Sequence, residues 1–136
     1  MAKNTYKLEG TIGNDHYQTK LVTRSHHLVA DEPNELGGED LGPTPDELLL
    51  AALASCKLMT MRMYADRKEW PLEKIDALLE MEVDRSELPV QSRISCRLKL
   101  TGALDAEQQA RLVAIADKCP THRVLTGQIE IQSHLA

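Results

Sequence analysis

The chain has 136 residues, with 16 Lys+Arg against 21 Asp+Glu, a formal net charge of −5, three Cys and no Phe. That length predicts one domain, residues 1–136, and a hydrophobic fraction of 42% with 27% charged residues argues against disorder. The net acidity and the scarcity of aromatics (one Trp, three Tyr) argue against a phosphate-backbone binder or a base-stacking platform, so no nucleic-acid partner is expected.

The longest uninterrupted apolar run, Leu48 to Ala54, is far shorter than the roughly 20 residues of a bilayer span, so no membrane is expected. The first ten residues lack the apolar core of a secretory signal, which points to the cytoplasm. In that reducing compartment three Cys read as thiols rather than structural staples.

In chain order, Tyr6 to Ile12 and Tyr17 to Thr23 alternate loosely about Gly13-Asn14-Asp15, a hairpin signal, and His26 to Ala30 suggests a third short strand. Residues 31–47 hold seven acids and no base, so the rest of the chain carries −5 + 7 = +2. Three Gly and three Pro within that stretch predict a loop whose acids form a solvated face. Thr44, Pro45 and Glu47 then make a Thr-x-x-Glu capping box with Pro at the first helical position. The helix expected over Thr44–Lys68 is apolar on every side near its start and needs cover on every side.

From 75 to 84, Ile75, Ala77, Leu79, Met81 and Val83 alternate with Asp76, Glu80, Glu82 and Asp84. Ile94, Cys96, Leu98 and Leu100 alternate likewise with Arg93, Arg97 and Lys99. An acidic outer strip beside a basic one predicts an antiparallel pair. Asp105 with Gln108 opens a second helix that Pro120 ends, and 128–133 is expected as a last strand with Ile129 and Ile131 inward. The order predicts an α+β fold, two helices on a mostly antiparallel sheet.

Cys96, on the inward side of a strand, reads as a small buried hydrophobe, and Cys56 in mid-helix reads first as core. Cys119 lies in "DKCPTHR", between one helix end and a turn that Pro120 could begin. If Cys119 caps that turn, amide dipoles with Lys118 and Arg123 would lower its pKa. If it ends the preceding helix, the dipole opposes ionisation. A zinc site on Cys119 and His122 lacks the second ligand pair that structural sites need, so no metal is expected. A Cys119–His122 hydrolase or transferase is conceivable but has no oxyanion-hole signature.

"ELGGEDLGPTPDELLLAALASC" (Glu35 to Cys56), followed 63 residues later by "CPTHR" (Cys119 to Arg123), resembles the OsmC/Ohr family of thiol-dependent organic hydroperoxide reductases. The resemblance covers the chain from about Glu35 onward. It implies Cys56 as the peroxidatic cysteine and Cys119 as the resolving one. It also implies an intertwined homodimer and an external dithiol reductant, in this family often a lipoyl group, with no cofactor. The family's catalytic Glu follows the helix-opening Pro; Asp46 stands there, with Glu47 next. The family's thiolate-holding Arg has one candidate before Arg62, namely Arg24.

Helix geometry puts Asp46 about 15 Å along the axis from Cys56, and Glu47 about 180° away around it. A carboxylate that takes part therefore arrives most simply from a second chain. Leu53, Met59 and Met63 read as core, or as the lining of a pocket for an apolar substrate tail. The alternative function is a non-catalytic OsmC-like protein that binds a small apolar ligand.

Overall fold

A computed structural model describes residues 3–136. The chain divides into two compact units, one ending at Leu49 and the other running from Leu50 to the C-terminus.

The first unit holds a three-stranded antiparallel sheet in the order β1 (Glu9–Ile12), β2 (Thr19–Thr23), β3 (His26–Ala30). β2 and β3 pair from Thr19↔Ala30 to Thr23↔His26, so Arg24 and Ser25 alone make the turn. Arg24 takes φ +53°, the left-handed conformation such a tight reversal demands.

After β3 the acidic loop is organised around one buried carboxylate. Asp31, only 2% exposed, accepts hydrogen bonds from the backbone N–H groups of Tyr17, Glu32, Glu39 and Leu41 at 2.7–3.3 Å. Burial pushes this carboxyl's pKa up, but the four N–H groups outweigh it and hold it below the usual carboxylate value. The loop folds back closely enough that a Cβ on Gly42 would overlap the carbonyl oxygen of Val29, and one on Gly38 that of Glu32.

Helix α1 (Pro45–Arg67) opens with the expected box: the Thr44 N–H donates to Glu47 Oε1 at 2.8 Å and the Glu47 N–H to Thr44 Oγ1 at 3.2 Å. In length and apolar composition it could cross a bilayer, contrary to what its short uninterrupted apolar run suggests. Two cationic side chains in the middle of it are nevertheless tied to other elements of the protein, as a packed core helix requires. Arg62 donates to the carbonyls of Leu72 and Glu73, and Lys57 to that of Ala116.

In the second unit β4 (Leu72–Asp84) and β5 (Gln91–Gly102) form an antiparallel pair with the expected sidedness: Leu79 faces Cys96, Met81 faces Ile94 and Glu82 faces Arg93. α2 (Ala106–Ala116) carries the Asp105–Gln108 capping box, and a short α3 (Pro120–Leu125) follows at once. The core is built on Met61, Ala65, Leu72, Leu112 and Ala116, with Ile75, Leu98 and Leu100 packed on it from the strands.

Two expectations need correction. Residues 128–136 form no strand, and Ile131 is 83% exposed, because a β-strand needs a neighbouring edge and none pairs with this segment. α1 is also not covered on every side within the chain: the buried residues Leu53, Lys57, Met61 and Ala65 recur every fourth position, while Leu49, Met59 and Met63 are exposed. The architecture is α+β, with three helices and two antiparallel sheets.

Candidate active site

Cys56 lies half-buried in mid-α1, and Cys119 is fully buried between α2 and α3. Pro120 occupies the first position of α3, where its missing N–H costs nothing, and Cys119 is the N-cap. Its Sγ accepts the His122 N–H at 3.3 Å. The preceding N–H, that of Thr121, points instead at Cys56 Sγ at 3.4 Å. Successive amides of one turn thus serve two sulfurs that are distant in the chain.

The two thiols are driven apart in acidity. Burial pushes Cys56 up, but the Thr121 hydroxyl and N–H, the Cys119 thiol and the Thr60 hydroxyl all stabilise its thiolate, leaving its pKa below that of an ordinary cysteine. Burial also pushes Cys119 up. There the His122 N–H and the charge of Lys57 fail to offset it, because Cys119 keeps its proton as a donor toward Cys56, whose charge also repels a second thiolate. The expectation that capping a new turn would lower the Cys119 pKa is therefore corrected: Cys119 does cap the turn, but desolvation and its sulfur neighbour decide the sign. Cys96, on β5, is also raised, chiefly by burial.

Lys57, which is not among the expected site residues, is 4% exposed, and its ammonium is fully engaged. It donates to Ala116 O at 3.0 Å, meets Asp117 Oδ1 at 3.4 Å, and reaches His122 Nδ1 at 3.0 Å. An ammonium can only donate, so Nδ1 accepts. His122 therefore meets Cys119 through its backbone and Lys57 through its ring, which is not the arrangement of a Cys–His dyad. The legible clue was Lys57 itself, the one cation in the run "LLLAALASCKLM". Nothing comparable marked Thr60 or Thr121.

The other expected site residues belong to the first unit. Glu47 is held in the capping box, with Asp46 beside it in the first turn of α1, and Arg24 sits exposed at the β2–β3 turn. Leu53 is buried whereas Met59 and Met63 are exposed, so the three do not line one surface of the chain.

A buried thiol held by the same turn as a more acidic, half-exposed one is an arrangement able to form a disulfide after oxidation of the outer sulfur. No curated protein matches the chain. Among solved structures, an organic hydroperoxide resistance protein OsmC from Legionella pneumophila is similar at 23% identity over 93% of both chains, with a TM-score of 0.71. An OsmC-like protein from Mycoplasma pneumoniae is similar at 20% identity, with 93% of this chain and 90% of that one covered and a TM-score of 0.74. An organic hydroperoxide resistance protein from Elizabethkingia anophelis is similar at 17% identity over 95% and 93%, with a TM-score of 0.72. These likenesses establish the fold. The family model described as OsmC-like protein matches residues 37–134, a span that takes in both sulfurs, and the chain belongs to that family.

Proposed function

We propose that the protein is a thiol-dependent peroxidase that reduces organic hydroperoxides, with Cys56 as the peroxidatic and Cys119 as the resolving cysteine. The observation that carries this reading is the one turn whose successive amides donate to the half-exposed Cys56 sulfur and the buried Cys119 sulfur; the donors around Cys56 favour its thiolate.

The Cys56 thiolate attacks the terminal peroxide oxygen. The O–O bond breaks, the alkoxide takes a proton and leaves as an alcohol, and Cys56 becomes a sulfenic acid. The Cys119 thiolate then attacks that sulfur, expelling hydroxide; with the proton Cys119 released, this leaves as water and a Cys56–Cys119 disulfide forms. An external dithiol, in the manner of a lipoyl group, restores both thiols by exchange and is itself oxidised. A groove of about 270 Å³ lined by Leu58, Met59, Arg62 and Ile75 is mostly apolar, which suits a hydrocarbon tail.

The working unit in this reading is a homodimer in the cytoplasm, in which Asp46 and Arg24 serve the thiol site of a second chain. Support for a second chain comes from the exposed apolar face of α1, with Met59 59% and Met63 62% exposed.

The test is a thiol count after cumene hydroperoxide. Two of the three thiols should disappear, with Cys96 left free, and a dithiol should restore them. Cys56→Ser should abolish peroxide consumption, and Cys119→Ser should stop at the sulfenic acid. Survival of all three thiols in excess peroxide would overturn the reading in favour of a non-catalytic protein that binds an apolar ligand.

A further inference from the structure

Lys57 is a buried charge beside both thiols that the peroxidase chemistry leaves without a task. A buried ammonium is costly unless fully paired, and this one is paired by a specific set of groups. Ala116 O is a carbonyl left open at the C-terminal end of α2, Asp117 is the next residue, and His122 belongs to α3. All three flank Cys119, two or three residues to either side.

Lys57 therefore pins both ends of the short connection that carries Cys119, while sitting next to Cys56 on α1. Its compensation is lopsided. Asp117 is the one formal countercharge, its side chain is 72% exposed, and its contact is the longest of the three. Water screens that carboxylate but not the ammonium, so net positive charge remains on the buried side. The groups around Cys119 are Cys56 and Lys57 from α1, Asp117 and Lys118 from the end of α2, and His122 from α3; Cys96 of β5 also lies within the field of Lys57.

We propose that Lys57 is the positioning cation of the resolving half of the site: it fixes the Ala116–His122 connection and turns positive charge toward Cys119, so that it favours disulfide closure rather than the first attack on peroxide. The division of labour follows from the contacts. Cys56 draws its thiolate stabilisation from Thr121, Thr60 and Cys119, whereas Cys119 has one N–H donor and the charge of Lys57. Closure needs a Cys119 thiolate in a place where burial opposes one, and a fixed cation lowers that barrier.

This inference rests on the peroxidase reading for the word "resolving", but one arm of its test needs no peroxide. In a Cys56→Ser/Cys96→Ser chain, Cys119 is the one thiol, and its ionisation is followed by ultraviolet thiolate absorbance against pH. Lys57→Met should move the midpoint up. Asp117→Asn, an exposed substitution that leaves Lys57 less compensated, should move it down. In the chain with all three cysteines, rapid mixing with one equivalent of cumene hydroperoxide and trapping with dimedone follows the sulfenic acid.

Lys57→Met should lengthen the life of that intermediate by roughly tenfold, the rate equivalent of one charge-assisted interaction, and leave its formation within about twofold. An unmoved Cys119 midpoint in folded Lys57→Met protein overturns the proposal. If Lys57→Met does not fold, Asp117→Asn decides alone: a lower midpoint supports the proposal, and an unchanged or higher one overturns it. If peroxide leaves the parent thiols intact, the peroxidase reading fails while the titration still decides the role of Lys57.

Discussion

Which of two adjacent sulfurs is the more acidic is set in this protein by hydrogen-bond donors, not by the charges nearest in sequence. Lys118 and Arg123 flank Cys119 and are exposed, so solvent screens them, while burial keeps that thiol protonated. The sequence made both sulfurs legible through their contexts, but it left open whether Cys119 caps a new turn and therefore which way its acidity shifts. Of the decisive donors, Thr60 stands one turn from Cys56 on α1 itself, whereas Thr121 acquires meaning only when α3 is folded against α1, and no local pattern announces that. Thr121→Val keeps the backbone N–H and deletes the hydroxyl, so the Cys56 thiolate loses one donor and its pKa must rise. Less thiolate at neutral pH should then slow alkylation by iodoacetamide. In a Cys96→Ser background the rate-against-pH curve of the variant should lie at higher pH than that of the parent. Superimposed curves would remove Thr121 from the account.

Elements whose causes are local were readable; those depending on distant backbone were not. Both capping boxes and the sidedness of β4 and β5 follow from residues within a few positions of one another. The ordering of the acidic loop does not, because its hub bonds N–H groups from residues 17, 32, 39 and 41, and an N–H carries no sequence signature. Asp31 has a folded pKa below its unfolded value of about 3.9. Its contribution to stability is therefore complete above that value and is lost as pH falls toward the folded pKa. Asp31→Asn should melt at a lower temperature than the parent at neutral pH, and should show less further loss between pH 5 and 3, measured by circular dichroism. A variant as stable as the parent at neutral pH would contradict the hub. Gly42→Ala forces a methyl against the Val29 carbonyl and should cost about 1–3 kcal/mol in denaturant unfolding, the usual range for overpacking.

At the scale of the whole molecule, one chain leaves three apolar features unfinished. Met59 and Met63 are exposed on α1, and the inward-facing Leu79, Met81 and Ile94 of β4 and β5 are only half-buried. Residues 128–133 keep the alternating pattern of a strand, yet Ile129 and Ile131 lie 56% and 83% exposed with no ladder. The alternation was legible; that it would go unpaired was not, because pairing depends on an edge and sequence does not say on which chain that edge lies. A second copy answers all three needs at once, since its edges and apolar faces are the same ones, left open in the same places. The protein should therefore sediment as a dimer at micromolar concentration. Ile129→Asp/Ile131→Asp puts two charges on the strand-like segment without touching any element that the single chain has already paired. If that segment completes a sheet in the dimer, the variant should shift toward the monomer while keeping its helical circular dichroism. It should also lose peroxide turnover if the site draws on a second chain. A parent that sediments as a monomer would leave the exposed face of α1 without an occupant and remove the second chain from the mechanism. A variant that remains fully dimeric would locate the contact on α1 and the strands instead of the C-terminal segment.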